Sequence, residues 1–92
     1  MKIYKSIDVW KKIDEKTSVR FRCFQISEEA AYCVQSADIY HYPLDKNQIN
    51  YLDRQYIELF LEENPDIRSN VYPTLEEAIR AHEDEFREYG GL

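Results

Sequence analysis

A chain of 92 residues can build one hydrophobic core but not two, since either half would bury too little surface to hold without staples; a single domain over residues 1–92 is expected. Eight tyrosines, four phenylalanines and one tryptophan argue against disorder, and a net charge of −6 argues against nucleic acid and anionic membranes, whose binding requires neutralising phosphate charge. The charge is uneven: seven Lys/Arg face six Asp/Glu in residues 1–44, and five face twelve in residues 45–92, which favours a basic partner surface.

Residues 1–10 start with positive charge but have no apolar stretch behind it, and no run reaches the length of a membrane span. A cytoplasmic location is expected, with Cys23 and Cys33 reduced. A chain this short hides only roughly 60–65% of its unfolded surface, and a homodimer is one way to hide more.

The first elements read as strands. Ile3, Ile7, Val9 and Ile13 fall on odd positions and Tyr4, Ser6, Asp8, Trp10 and Lys12 on even ones, the period of a half-buried strand. After the polar turn Asp14 to Thr17, Val19, Phe21 and Cys23 alternate with Arg20 and Arg22 until Cys23-Phe24 breaks the pattern, as a bulge or a strand covered on both sides would. A second turn, Ser27-Glu28-Glu29, leads into residues 30–40, rich enough in β-formers for a third strand of an antiparallel meander.

Two helices follow. Asp45 is placed to cap the first, with Gln48 three residues on and Leu44 and Ile49 at the two positions of a hydrophobic staple. Ile49, Leu52, Tyr56, Leu59 and Phe60 recur at helical spacing until Asn64-Pro65 stops the helix. In the linker beyond, Asn70-Val71-Tyr72 has the composition for a short fourth edge strand. Thr74 to Glu77 has the capping-box pattern, and Leu75, Ala78, Ile79, His82, Phe86 and Tyr89 form one stripe before Gly90 supplies a C-terminal cap.

Each helix has one apolar stripe, and one side of the sheet is the broad apolar surface left to receive both. The expected fold is α+β and two-layer, a three-stranded antiparallel meander packed on two C-terminal helices in the order βββα(β)α. Its other sheet face is then expected to expose Trp10, Lys12, Arg20, Arg22 and Tyr4.

Several chemistries fall away. Gly90 and Gly91 are the only glycines, so neither a P-loop nor a dinucleotide fingerprint can form. His82-Glu83 opens like a helical zinc motif, but position 86 holds Phe where a second imidazole is required, so His82 reads as packed within its stripe. With a three-residue loop, Cys23 and Cys33 would face each other as buried thiols near Phe21, and their spacing to His41 matches no zinc ribbon or finger. The acids crowd solvent-facing helix positions rather than a desolvated cleft. No catalytic residue, metal site or cofactor is assigned, and the sequence leans away from an enzyme.

Residues 38–43, Asp-Ile-Tyr-His-Tyr-Pro, end the third strand and enter the turn to the first helix. Tyrosine and tryptophan give large rigid contact area at low entropic cost, so Trp10, Tyr40, His41 and Tyr42 form the candidate protein-binding patch. The favoured function is a non-enzymatic interaction or regulatory module whose partner is another protein, one with a basic surface, or a second copy. Small acidic inhibitors of the antitoxin or immunity kind are one such class, by charge and size alone. The alternative is single-stranded nucleic-acid binding through the exposed sheet face, with Lys12, Arg20 and Arg22 meeting phosphates and Trp10 or Tyr4 stacking a base; the net charge opposes it. A third reading is a minor hydrolase or enzyme subunit using Cys33 and His41.

Overall fold

The alternating segments fold as β1 (Tyr4–Lys12), β2 (Thr17–Ile26) and β3 (Tyr32–His41), an antiparallel sheet in the order β1-β2-β3, followed by α1 (Lys46–Glu62), α2 (Pro65–Arg68) and α3 (Leu75–Glu88). The structure is a computed structural model that describes residues 2–88, with side chains as far as Glu85. The α+β class and the order of strands and helices are those expected from the sequence. No helix among the described residues is long and apolar enough to cross a membrane.

The central strand is covered on both sides, which is the cause of the broken alternation at Cys23-Phe24. Val19, Phe21 and Cys23 join Val34 and Ala78 in one buried cluster, while Phe24 and Ile26 join Cys33 in another. The bulge is present too. Arg22 pairs with Ser36 but Cys23 with Val34, which leaves Gln35 as the extra residue of β3. Gln35 ties the bulge to α1 by donating from Nε2 to the carbonyl of Tyr56 at 3.2 Å.

The helices do not share one side of the sheet, as their two apolar stripes had suggested; they divide between its faces. α3 covers the Val19, Phe21 and Cys23 side, where Leu75, Ala78 and Ile79 meet Ile7, Val9, Ala37 and Ile39. Across the sheet, the Tyr56 ring stacks on Phe24 with centroids 5.8 Å apart, and Phe60 packs on Phe24 at 5.3 Å and edge-on to Tyr4 at 5.6 Å. The reason lies in the even face, which carries Phe24 and Ile26 at one end and Arg20, Arg22 and Asp38 at the other. Such a face needs a helix with both rings and a carboxylate, and α1 supplies Tyr56, Phe60 and Asp53.

The cysteines are a second correction. The β2–β3 connection spans residues 27–31, with Ser27 in the left-handed region at φ 54° and Ile26 N–H donating to Ala31 O at 2.9 Å. Cys33 therefore pairs with Phe24 instead of Cys23, and the two thiols lie on opposite faces of the sheet.

The helix caps agree with their sequence signals. The Asp45 carboxylate accepts from Asn47 N–H at 2.9 Å, and the Thr74 hydroxyl accepts from Glu77 N–H at 3.1 Å. Tyr89 and the Gly90 cap lie outside the described residues, as does the side chain of Phe86. The stretch read as a linker contains α2, begun by Pro65 at its first position and tied to β1 by Asp66, which accepts from Lys2 Nζ at 2.6 Å and Tyr4 Oη at 2.8 Å. Those two partners, Lys2 first, hold the Asp66 carboxyl below the usual carboxylate range. Tyr72 then pairs with Tyr32 through two main-chain bonds of 2.8 Å, a bridge where a short edge strand was expected.

Both thiols are fully buried, and burial pushes Cys23 up to about 12 and Cys33 up to about 11. The native protein is therefore expected to leave both cysteines unlabelled by Ellman's reagent over minutes at pH 8 and to label both in guanidinium. Rapid labelling of either in the native state, or recovery of a Cys23–Cys33 disulfide, would contradict this register.

Candidate functional site

The polar half of the α1-facing sheet surface is organised by two arginines of β2. In the ladder Arg22 stands opposite Asp8 and Arg20 opposite Asp38, but the ion pairs form on the diagonals: Arg20 to Asp8 at 2.8 Å and Arg22 Nε to Asp38 at 2.6 Å. α1 adds Asp53, 2.7 Å from Arg22 and 3.7 Å from Arg20, and the face of Tyr56, with the Arg22 guanidinium 4.6 Å from its centroid. The side chain of Arg22 is 3% exposed and that of Asp38 7%. Burial pulls the Arg22 pKa down, and hydrogen bonds to Asp53, Asp38 and Tyr40 outweigh it, so the guanidinium stays charged at every physiological pH.

The expected open sheet face is thus largely closed. Arg22 is sealed and doubly paired, Arg20 is shared between two carboxylates, and Tyr4 is half-buried under Phe60; Trp10 and Lys12 remain at the surface. No signal in a single arginine marks it as buried. The alternation of Asp8, Arg20, Arg22 and Asp38 on one face of three successive strands was the available clue, legible only once the register is known.

Next to this seam lies an aromatic cleft of ≈ 340 Å³. The sheet contributes Trp10, Ser18 and Tyr40, the β1–β2 turn contributes Glu15 and Lys16, and the entry to α1 contributes Tyr42, Leu44 and Ile49. Trp10 and Tyr40 belong to the two outer strands, Trp10 opposite Arg20 and Tyr40 opposite the small Ser18 of β2, and their ring centroids meet on the diagonal at 5.6 Å. Arg20 lies over the Trp10 ring at 5.4 Å. Tyr42 follows β3 out of the sheet with its N–H still bonded to Lys16 O at 2.8 Å, and its peptide bond to Pro43 is cis. His41 Nδ1 is 3.1 Å from Thr17 Oγ1 and borders the cleft. Asp45, capping α1, fixes where Leu44 and Ile49 stand, so the two proposed staple residues line the cleft wall.

The four residues proposed for protein binding are therefore brought together, with unequal exposure. Trp10 is 57% and Tyr42 71% exposed, His41 is exposed, and Tyr40, 8% exposed, serves as the floor on which Trp10 rests. Leu44, at 60%, was missed as a surface contributor because the staple pattern reads it as packed. Leaving this fraction of an indole in water forgoes about 2–4 kcal/mol of burial free energy, which a partner covering it would recover.

Other chemistry-bearing groups are placed elsewhere. Cys33 is sealed under α1 at the opposite end of β3 from His41, so the two do not meet. His82 packs edge-on to Phe21 at 6.2 Å, and burial lowers its pKa. Among the described residues no group of three or more His, Cys, Asp or Glu side chains is gathered as a metal site would require.

The seam makes a quantitative statement about its two carboxylates. Asp38→Ala leaves a buried guanidinium with one of its two ion partners and is expected to cost about 3 kcal/mol in urea unfolding. Asp53 is half exposed, so Asp53→Ala is expected to cost about 1 kcal/mol. Equal losses, or a larger one for Asp53, would show that Asp38 is not the principal counter-ion.

Comparison of the chain with protein-family models, with curated proteins and with solved structures finds no match.

Proposed function

We propose that the chain is a non-enzymatic interaction module that binds another protein through the cleft between Trp10 and Tyr42. One observation carries the reading: two large aromatic side chains stand exposed beside a wall whose rings and guanidinium are held in place by the sheet. A surface already ordered loses little entropy on binding, and partly exposed aromatic rings at the centre of a patch are the groups that dominate interface energetics. The partner places an apolar or aromatic side chain in the cleft, and the net charge of −6 favours one whose surrounding surface is basic. We propose a cytoplasmic setting with it, where two buried reduced thiols need no oxidising compartment. Regulatory inhibitors of the antitoxin or immunity kind fit this combination of size, acidity and surface aromatics.

The nucleic-acid alternative draws little from the geometry. Arg22 has no free face for a phosphate, and the charge of Arg20 is matched by Asp8 and Asp53, which leaves Lys12 as the one exposed member of the proposed set.

The test is a comparison of immobilised wild-type protein with the Trp10→Ala/Tyr42→Ala variant, whose thermal unfolding is measured alongside. Wild type is expected to retain a specific protein from native lysate with at least tenfold preference over the variant. Retention of the same proteins by both, or of none by either, contradicts the reading, and a salt-sensitive shift with single-stranded RNA favours the alternative.

A further inference from the structure

The two edges of the sheet are guarded unequally. β1 carries Lys5, Lys11 and Lys12, and charged side chains of this kind discourage another strand from pairing with an edge. Along Gln35–His41, β3 carries one formal charge, Asp38, and that carboxylate is turned inward to Arg22.

The direction of the β3 main chain follows from one bond. Tyr42 N–H donates to Lys16 O, so by the alternation of an antiparallel ladder Tyr40, Asp38 and Ser36 turn their main-chain groups toward β2, while Ala37, Ile39 and His41 turn theirs away. Tyr32 also turns outward, and there Tyr72 satisfies it. Past that bridge, Ser69 and Asn70 stand off from Val34 and Gln35 across a cleft of ≈ 370 Å³, and among the described residues no main-chain partner reaches Ala37, Ile39 or His41.

We propose that the edge from Ala37 to His41 accepts an extended, basic segment of another protein as an added strand. Three outward residues offer a row of donors and acceptors with the spacing of a strand, and Ala37 and Ile39 present half-buried apolar side chains for alternate residues of the incoming segment. Charge selects a basic segment. The helices on either side of this edge belong to residues 45–92, with twelve acids against five bases; Glu85 lines the cleft at its end, and Arg68 in that cleft is already engaged by Glu62 and Glu63 at 3.6 and 3.8 Å. Two copies, each at −6, repel, which counts against self-pairing. The edge uses the main chain of His41, whose side chain borders the aromatic cleft, but it uses neither Trp10 nor Tyr42, so the Trp10→Ala/Tyr42→Ala variant separates the two sites.

Amide hydrogen exchange of the full chain, read by NMR, tests it with three probes: an acetylated and amidated Lys-Val-Lys-Val-Lys-Val-Lys peptide, its fully N-methylated counterpart, and the same peptide with Glu in place of Lys. The first is expected to slow exchange of the Ala37, Ile39 and His41 amides at least tenfold, equally in the Trp10→Ala/Tyr42→Ala variant, and the other two to leave them unchanged. No slowing at millimolar peptide, or equal slowing by the N-methylated or glutamate peptide, overturns the proposal. So does protection of these amides in the peptide-free protein, which would mean that a second copy or the chain itself already closes the edge.

Discussion

The guanidinium of Arg22 sits in the middle of the central strand, almost out of water, and the placement of α1 follows from its needs. Removing such a group from solvent costs several kcal/mol, which is offset here because Asp38 and Asp53 approach it within 2.7 Å and the Tyr56 ring closes over it. Asp38 comes from the neighbouring strand, but Asp53 and Tyr56 come from the helix. A sheet without α1 would therefore leave Arg22 half-paired, and α1 packed on the other face would leave it exposed beside Phe24. Rings at one end of the helix and a carboxylate one turn earlier match the apolar and charged halves of that surface.

This match divides the molecule by face. On one side α3 packs apolar side chains against Val19, Phe21 and Cys23, a surface with little chemistry in it. On the other, the charged seam ends at Arg20 and Trp10, and the aromatic cleft begins where the salt bridges stop. The cleft thus borrows its rigidity from the seam: Arg20 is fixed by Asp8 and Asp53, Trp10 lies against Arg20 and Tyr40, and α1 is anchored so that Leu44 and Ile49 hold the opposite wall. The proposed binding surface thus lies at the end of a structural network.

Much of the fold was legible in the residues. Period-two alternation located the first two strands and β-former content the third, the break at Cys23-Phe24 marked the two-sided cover of β2 while the extra residue of the bulge proved to be Gln35 on β3, and Asp45 and Thr74 marked helix starts. What was not legible was long-range. Two amphipathic helices can share a sheet face or divide between two, and the choice depended on Arg22 being buried, which a single arginine in an alternating strand does not announce. The thiols were misplaced for a related reason: the β2–β3 connection spans 27–31 and a bulge sits at Gln35, and each shift in register alters what faces what. Of the patch residues, Trp10, His41 and Tyr42 were placed at the surface correctly, while Tyr40 proved to be their support.

The most direct measurement of this account is the NMR behaviour of the Arg22 Nε–H at neutral pH. The geometry calls for a resonance that contacts the Tyr56 ring protons and exchanges with water at least a hundredfold more slowly than that of the exposed Arg54. An Arg22 Nε–H that exchanges as fast as Arg54 and touches no aromatic proton would place α1 elsewhere, and the cleft built on its anchoring would not exist.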